Sequence, residues 1–382
     1  EHSFLHLKLY VLIITLTLTS KFYIIVSIDQ NLEVLDMKAM VLKRIYNVSI
    51  CKEPLEFEDF PDPILNRAGD EILVGVSACG ICRTDLDIIE GRTPPSRFPI
   101  ILGHQIIGRV VDTGTRVKKF KVGDRVGIAW INHSCGNCEY CHSNQENLCD
   151  DFKATGRDVN GGYAEYTSVS ENFAYRIPEV YSDEEAAPLL CAGAVGYRSL
   201  KLCNMKDGNP IGLCGFGASG HLVLKMIQYI YPNSRVFVFT RSERERTFAR
   251  ELGCYWAGDI REDPKEKLSC IIDTTPVWKP VVEMLKNLKK GGRLVINAIR
   301  KEDIDKDYLL NLKYERDLWM EKEIKTVANV TREDVEEFLE LAGKVYFHPE
   351  IQTFPLEEAN RALLELKEGK IRGAKVLKIK AS

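Results

Sequence analysis

The segment NPIGLCGFGASGHLVLKMIQYI, residues 209–230, runs from a short apolar stretch through a glycine-rich turn into a helical pattern. Strand, turn and helix in that order open a nucleotide-binding unit, because the helix N-terminus offers unpaired N–H groups to a pyrophosphate. Two registers of the glycine motif compete. In one, Gly212 comes right after the strand, but Cys214 stands where a second glycine belongs, ahead of Gly215 and Gly217. In the other, Gly215, Gly217 and Gly220 match G-x-G-x-x-G literally. Either register is weak evidence until the flanking sequence agrees with it.

The flanking sequence does agree. RVFVFT (235–240) reads as a buried strand and RSERERTFARELG (241–253) as a helix with a charged face. LSCIIDTT (268–275) is another strand, and VVEMLKNLKKGGRLVIN (281–297) reads as helix, glycine turn and strand. Alternating strands and helices imply right-handed crossovers and a Rossmann doubly wound parallel sheet, an α/β unit. Folds of this kind that bind NAD place an acidic residue at the end of the second strand, to accept from the ribose 2′-hydroxyl. Here the run is Thr240, Arg241 and Ser242. Two hydroxyls and a guanidinium suit a 2′-phosphate, so the sequence predicts NADP in preference to NAD.

Upstream the pattern changes. The 382 residues exceed one ordinary core and imply two domains. EILVGVSA (71–78), IIGRVVDTG (106–114) and DRVGIAW (124–130) are short β-branched runs cut by Gly and Pro, the mark of an irregular β-barrel. Downstream, TREDVEEFLELA (331–342) and PLEEANRALLELKEG (355–369) read as helices and AKVLKIK (374–380) as a strand. The expected organisation is therefore a β domain over 37–190, a nucleotide domain over 191–327 and a return to the first over 328–382. The apolar run LYVLIITLTLTSKFYIIVSI (9–28) has nearly the length of a membrane span. Lys21 and the threonines dilute it, and MKAMVLK from Met37 looks like a first strand, so 1–36 is expected to be an extension outside the fold.

Twelve cysteines are spaced too regularly for a disulfide ladder and point to metal in a reducing cytoplasm. A net charge of −3 gives no support for nucleic acid or an anionic membrane as partner. In CGNCEYCHSNQENLC (135–149), Cys135, Cys138, Cys141 and Cys149 can close a four-thiolate tetrahedron with no open position, a structural zinc site. An iron centre would use the same four ligands. His142 inside the loop is expected to be a solvated bystander. ACGICRTDLDIIEG (78–91) carries Cys79 and Cys82 without that company. A catalytic zinc needs three protein ligands and an open fourth place. ILGHQIIGRVV (101–111) offers His104, and APLLCAGAVGY (187–197) offers Cys191 where the β region gives way to the nucleotide region.

Taken in order, CGICRTD, GHQIIGRVVDTG, the four-cysteine lobe, LLCAGAVGY and the glycine turn resemble the zinc-containing medium-chain alcohol dehydrogenases, from Met37 to the end. The resemblance implies a chaperonin-10-like β domain and catalytic ligands Cys82, His104 and Cys191, with Cys79 a packed core residue. It implies that Thr84 bonds the substrate oxygen and that Asp85 orients His104. Arg83 and the late Arg372 would reach the pyrophosphate, while Trp130 and Ile131 would line the substrate pocket. It also implies a homo-oligomer, tetramer or dimer. Two positions depart from the family pattern. Gln105 replaces a glutamate, which removes a negative charge near the metal and should sharpen its Lewis acidity. Asp87 replaces a histidine that ends a proton relay, and reads either as a poor relay or as a solvated surface carboxylate. The implied activity is reversible hydride transfer between an alcohol and NADP (or NAD), giving an aldehyde or ketone, with two Zn²⁺ per chain. A polyol or sugar dehydrogenase of the same architecture, and a non-catalytic NADPH-binding zinc protein, are the alternatives.

Overall fold

The computed structural model describes residues 36–370 and 372–380. The expected extension over 1–36 thus lies, but for its last residue, outside the described residues. A six-stranded, wholly parallel sheet organises the middle of the chain. Its order across the sheet is Trp256–Gly258, Val236–Phe239, Ile211–Cys214, Leu268–Asp273, Leu288–Ile296 and Glu323–Thr326. The first two central strands, VFVF and IGLC, are buried at every residue, as required of a sheet covered on both faces. Cys214 is in register with both Phe239 and Asp273, so three strands end in one row where the glycine turn begins. The strand order reverses there, and crevices at such points hold ligands.

One expected turn is different. Gly291 and Gly292 lie within strand Leu288–Ile296, not before it. The pairing slips between Leu268 and Cys270, and Gly291 takes φ +67°, so the glycines form a bulge.

The β region forms mixed sheets and no closed barrel among the described residues. A seven-stranded sheet runs in the order Ala174–Arg176, Arg125–Ile128, Ile106–Thr113, Glu71–Ile81, Ala374–Lys378 and Ile351–Pro355, with Tyr166–Ser170 also pairing to Glu71–Ile81. The C-terminal strand Ala374–Lys378 lies beside Ala78–Ile81, which ties the end of the chain to the residues just ahead of Cys82. Helix Ala192–Cys203 starts directly after Cys191 and joins the two regions. Its small residues explain how closely it packs: a Cβ on Gly193 would come within 2.4 Å of Phe338, and one on Gly196 within 2.6 Å of Val223. Those partners belong to helices Arg332–Lys344 and Ala218–Ile230, so the return segment and the glycine-turn helix both clamp the helix that follows Cys191.

Candidate active site and metal centres

Three distant segments converge. The ligand atoms of Cys82, His104 and Cys191 all lie within 4.8 Å of one another. Cys82 directly follows the long strand Glu71–Ile81 and N-caps helix Arg83–Ile89. His104 follows Gly103, whose φ of +95° and close quarters require glycine: a Cβ there would sit 2.5 Å from Tyr163 Cδ1 and 2.7 Å from Cys79 Sγ. His104 is fully buried, and its Nε2 has no partner. Two thiols and one aimed imidazole nitrogen make a donor set that fits zinc with a position to spare.

Asp85 holds this arrangement together. Its Oδ2 accepts from the Cys82 N–H at 2.7 Å and from the Tyr163 hydroxyl at 2.9 Å. Its Oδ1 faces His104 Nδ1 at 3.5 Å, and neither atom has another partner. A hydrogen bond from Cys191 holds the Cys82 thiol well below its ordinary range, against burial and with help from His104. Burial pushes His104 down, but Asp85 and Cys82 outweigh it and raise the imidazole to about 10. A divalent cation bound by these three residues would displace the protons that their donor atoms carry.

Cys79, three positions earlier and on the strand itself, is different. It is fully buried against Gly103 and Gly162, burial pushes its thiol up, and its sulfur lies 3.7 Å from the Gly80 carbonyl. Thr84 is buried on the first helical turn, with Oγ1 3.6 Å from Cys82 Sγ. Trp130 meets the His104 ring edge-on at 4.9 Å. Ile131 is buried and pairs with Ala154 in the hairpin leading to the cysteine lobe. Gln105 is buried too: its carbonyl accepts from Gly80 N–H at 2.9 Å, and its side chain fills the space over Gly80. Asp87 is no solvated surface carboxylate. It is buried, it accepts from Arg92 Nε at 2.6 Å, and burial pushes its pKa up.

Cys135, Cys138, Cys141 and Cys149 likewise bring their sulfurs within 4.8 Å of one another. None of the twelve cysteines forms a disulfide. The Cys135 sulfur accepts from Asn137 N–H at 3.4 Å, and backbone N–H groups of Asn137 and Cys138 bring its pKa down to about 7. His142 is exposed, as expected of a bystander. The lobe is tied to the return segment: buried Glu146 accepts from Arg332 N–H at 2.7 Å, and Asn147 donates to the Ala328 carbonyl at 2.8 Å.

At the glycine turn, Gly212 lies inside strand Ile211–Cys214, where a Cβ would crowd Leu268 at 2.9 Å. Gly215 makes the turn itself, with φ +86° and only 2.5 Å between a Cβ and Thr274 Oγ1. Gly217 caps helix Ala218–Ile230, and Gly220 packs on the Gly215 carbonyl. Arg372 lies over the Phe248 ring at 4.5 Å, and Phe248 meets Phe216 of the turn at 5.7 Å. Arg83 crosses the cleft to Glu302 at 2.8 Å, in the loop after strand Leu288–Ile296. Arg241 is exposed, with no hydrogen-bond or ion-pair partner among the described residues. Ser242 caps helix Glu243–Glu251 by accepting from Glu245 N–H. The Thr240 hydroxyl, however, is already engaged: it donates to the Glu245 carboxylate.

Tyr163, Glu302 and Glu245 were not evident from sequence. Tyr163 and Glu302 reach their partners across 78 and 219 residues and leave no local signal. Glu245 does: Ser242 followed three residues later by a glutamate is a helix-start signature.

Comparison with known proteins completes the assignment. Residues 68–179 match the alcohol dehydrogenase GroES-like domain. The chain is 41% identical over 317 residues to the probable alcohol dehydrogenase AdhA of Mycobacterium tuberculosis, covering 82% of this chain and 90% of that one. It is 33% identical over 356 residues to an alcohol dehydrogenase of Geobacillus stearothermophilus, covering 90% and 99%. A cinnamyl alcohol dehydrogenase from Sorghum bicolor shares the fold with a TM-score of 0.76 at 25% identity, covering 90% of this chain and 97% of that one. With likeness at this level running the length of both the β region and the parallel sheet, the chain belongs to the zinc-containing medium-chain alcohol dehydrogenase family.

Proposed function

We propose that this oxidoreductase interconverts an alcohol and an aldehyde or ketone with one Zn²⁺ held by Cys82, His104 and Cys191, a second held by the four-cysteine lobe, and NADP as preferred cofactor. The observation that carries the reading is the convergence of the three ligands around the unpartnered, buried Nε2 of His104. When bound, zinc supplies Lewis acidity toward the substrate oxygen and the nicotinamide supplies the hydride chemistry.

The protein does the rest. Thr84 takes the substrate hydroxyl proton at Oγ1 and passes it outward. Asp85, itself oriented by Tyr163 and the Cys82 N–H, fixes the ring of His104 and keeps Nε2 free for metal. Trp130 walls the ring and keeps water off it. Arg83, Arg372 and the turn at Gly215, Gly217 and Gly220 hold the pyrophosphate. Arg241 and Ser242 supply a cation and a hydroxyl to the 2′-phosphate. Neutral Gln105 and apolar Trp130 favour an alcohol over a sugar substrate. A complete ligand triad favours an enzyme over a binding protein.

Two further properties belong to this reading. Twelve free cysteines suit a reducing cytoplasm, and no helix among the described residues is long and apolar enough to cross a membrane. Strand Glu323–Thr326 ends the parallel sheet; Trp319 just ahead of it and Ile324 within it are 52% and 43% exposed. Exposed apolar side chains at a sheet edge support a homo-oligomer, dimer or tetramer.

The test pairs a zinc count with a screen of aliphatic and aromatic aldehydes against NADPH and NADH. Two zincs per chain and turnover are expected. One zinc and no turnover would replace the enzyme with a binding protein.

A further inference from the structure

We infer that Glu245 is a specificity-determining residue for the dinucleotide: held against Thr240, its carboxylate opposes a 2′-phosphate and accepts from a 2′-hydroxyl. This rests on the proposed seat of the adenosine ribose at the end of strand Val236–Phe239. The next residue there, Thr240, is buried, and no acidic residue occupies that position or the two that follow. The fold restores one from the helix. Ser242 caps helix Glu243–Glu251 by accepting from the Glu245 N–H at 3.3 Å. In a capping box the glutamate side chain would return to the Ser242 N–H. Here it turns to the Thr240 hydroxyl instead.

The neighbouring charges are placed unequally. Arg246 gives Nη1 to the Thr240 carbonyl at 2.7 Å and its other nitrogens to Glu243 at 2.9 and 2.6 Å, so it is already committed. Arg241 and Arg244 are exposed and have no partner among the described residues. A 2′-phosphate arriving at Thr240 therefore meets a fixed carboxylate at the strand end and must draw its cations from side chains that solvent holds loosely. A carboxylate has lone pairs beyond the one Thr240 uses, and these can accept from a ribose hydroxyl. Arg241 and Ser242 pull toward NADP and Glu245 pulls back, so discrimination in the wild type is shallow.

The test measures binding without turnover. 2′,5′-ADP and 5′-AMP, which carry the adenosine end with and without the 2′-phosphate, are titrated calorimetrically into the full-length protein. NADPH and NADH binding by fluorescence give a second pair. Glu245→Gln keeps an acceptor for Thr240 and removes the charge. It should tighten 2′,5′-ADP about tenfold relative to 5′-AMP, the order expected for removing one near like charge. Glu245→Lys should carry the ratio further the same way. Glu340→Gln, a charge-matched change at an exposed position of helix Arg332–Lys344, should leave it unmoved. If either folded Glu245 variant shifts the ratio less than twofold, the inference is overturned. A wild-type preference for NADH with the shift intact would retire the NADP preference and uphold the role of Glu245. Absence of alcohol turnover would not touch the nucleotide ratio.

Discussion

The two metal centres are built in opposite ways. The lobe takes its four sulfurs from residues 135–149, on a frame of short pieces such as helix Glu139–His142, and two of those cysteines are only partly buried. The other centre takes its donors from residues 82, 104 and 191 and sets them on a finished scaffold, with His104 and Asp85 wholly enclosed. In the lobe the sulfurs are met mainly by backbone N–H groups, such as Cys135 N–H on Cys149 Sγ at 3.4 Å, and the proposed metal would be their main link. In the catalytic pocket Asp85, Tyr163 and Gly103 position the ligands before any metal arrives. The contrast supports the proposed division, in which the first site serves stability and the second serves chemistry.

The strongest way to break this contrast is Cys82→Ser. A neutral hydroxyl is a poor substitute for a thiolate. The variant should lose one zinc and about three orders of magnitude or more in kcat/KM, with its thermal midpoint little changed. Cys79→Ser is the matched control: it should keep both zincs and cost only about 1 kcal/mol, the scale for placing a hydroxyl in a packed apolar site. Elemental analysis and steady-state rates separate the two, and a reversal would reassign the ligand.

Cys138→Ser should show the opposite profile. Loss of the lobe metal should lower the midpoint by about 5–10 °C, because metal affinity there is folding energy, while the remaining zinc keeps its place. Calorimetry with zinc analysis checks it; an unchanged midpoint and full zinc content would remove the distinction between the sites.

Asp85→Asn sharpens the idea of a preformed pocket. It removes the charge facing His104 Nδ1 and should cost about 10–100-fold in catalytic-site zinc affinity or activity, measured by competition with a chelator. The lobe zinc should be untouched. Tyr163→Phe removes one hydrogen bond to the same carboxylate and should do less, about 1–2 kcal/mol of stability with both zincs retained, read from denaturant midpoints.

Each site was legible to the extent that its parts are neighbours in sequence. Four cysteines at short spacings announce a closed thiolate shell, because the chain between them is too short to place the sulfurs far apart. The strand–turn–helix at 209–230 and the alternation after it announce a parallel sheet, because periodicity and glycine constraints act within a few residues. Tyr163 under Asp85, the bond of Arg83 to Glu302, and the burial of Asp87 could not be reached that way. Asp87 in particular looks in sequence like any exposed carboxylate, and burial is a property of everything packed around it.

By itself, then, the sequence determined the fold class, the lobe and the candidate ligands, since local spacing and turn chemistry are carried by adjacent residues. Only the tertiary structure decided that Cys82, His104 and Cys191 meet within 4.8 Å, that Cys79 is sealed in the core, and that Thr240 faces a glutamate. The last is a local turn whose side-chain choice the sequence leaves open; the first two depend on segments far apart in the chain packing at ångström distances, where one glycine such as Gly103 determines which side chains can meet.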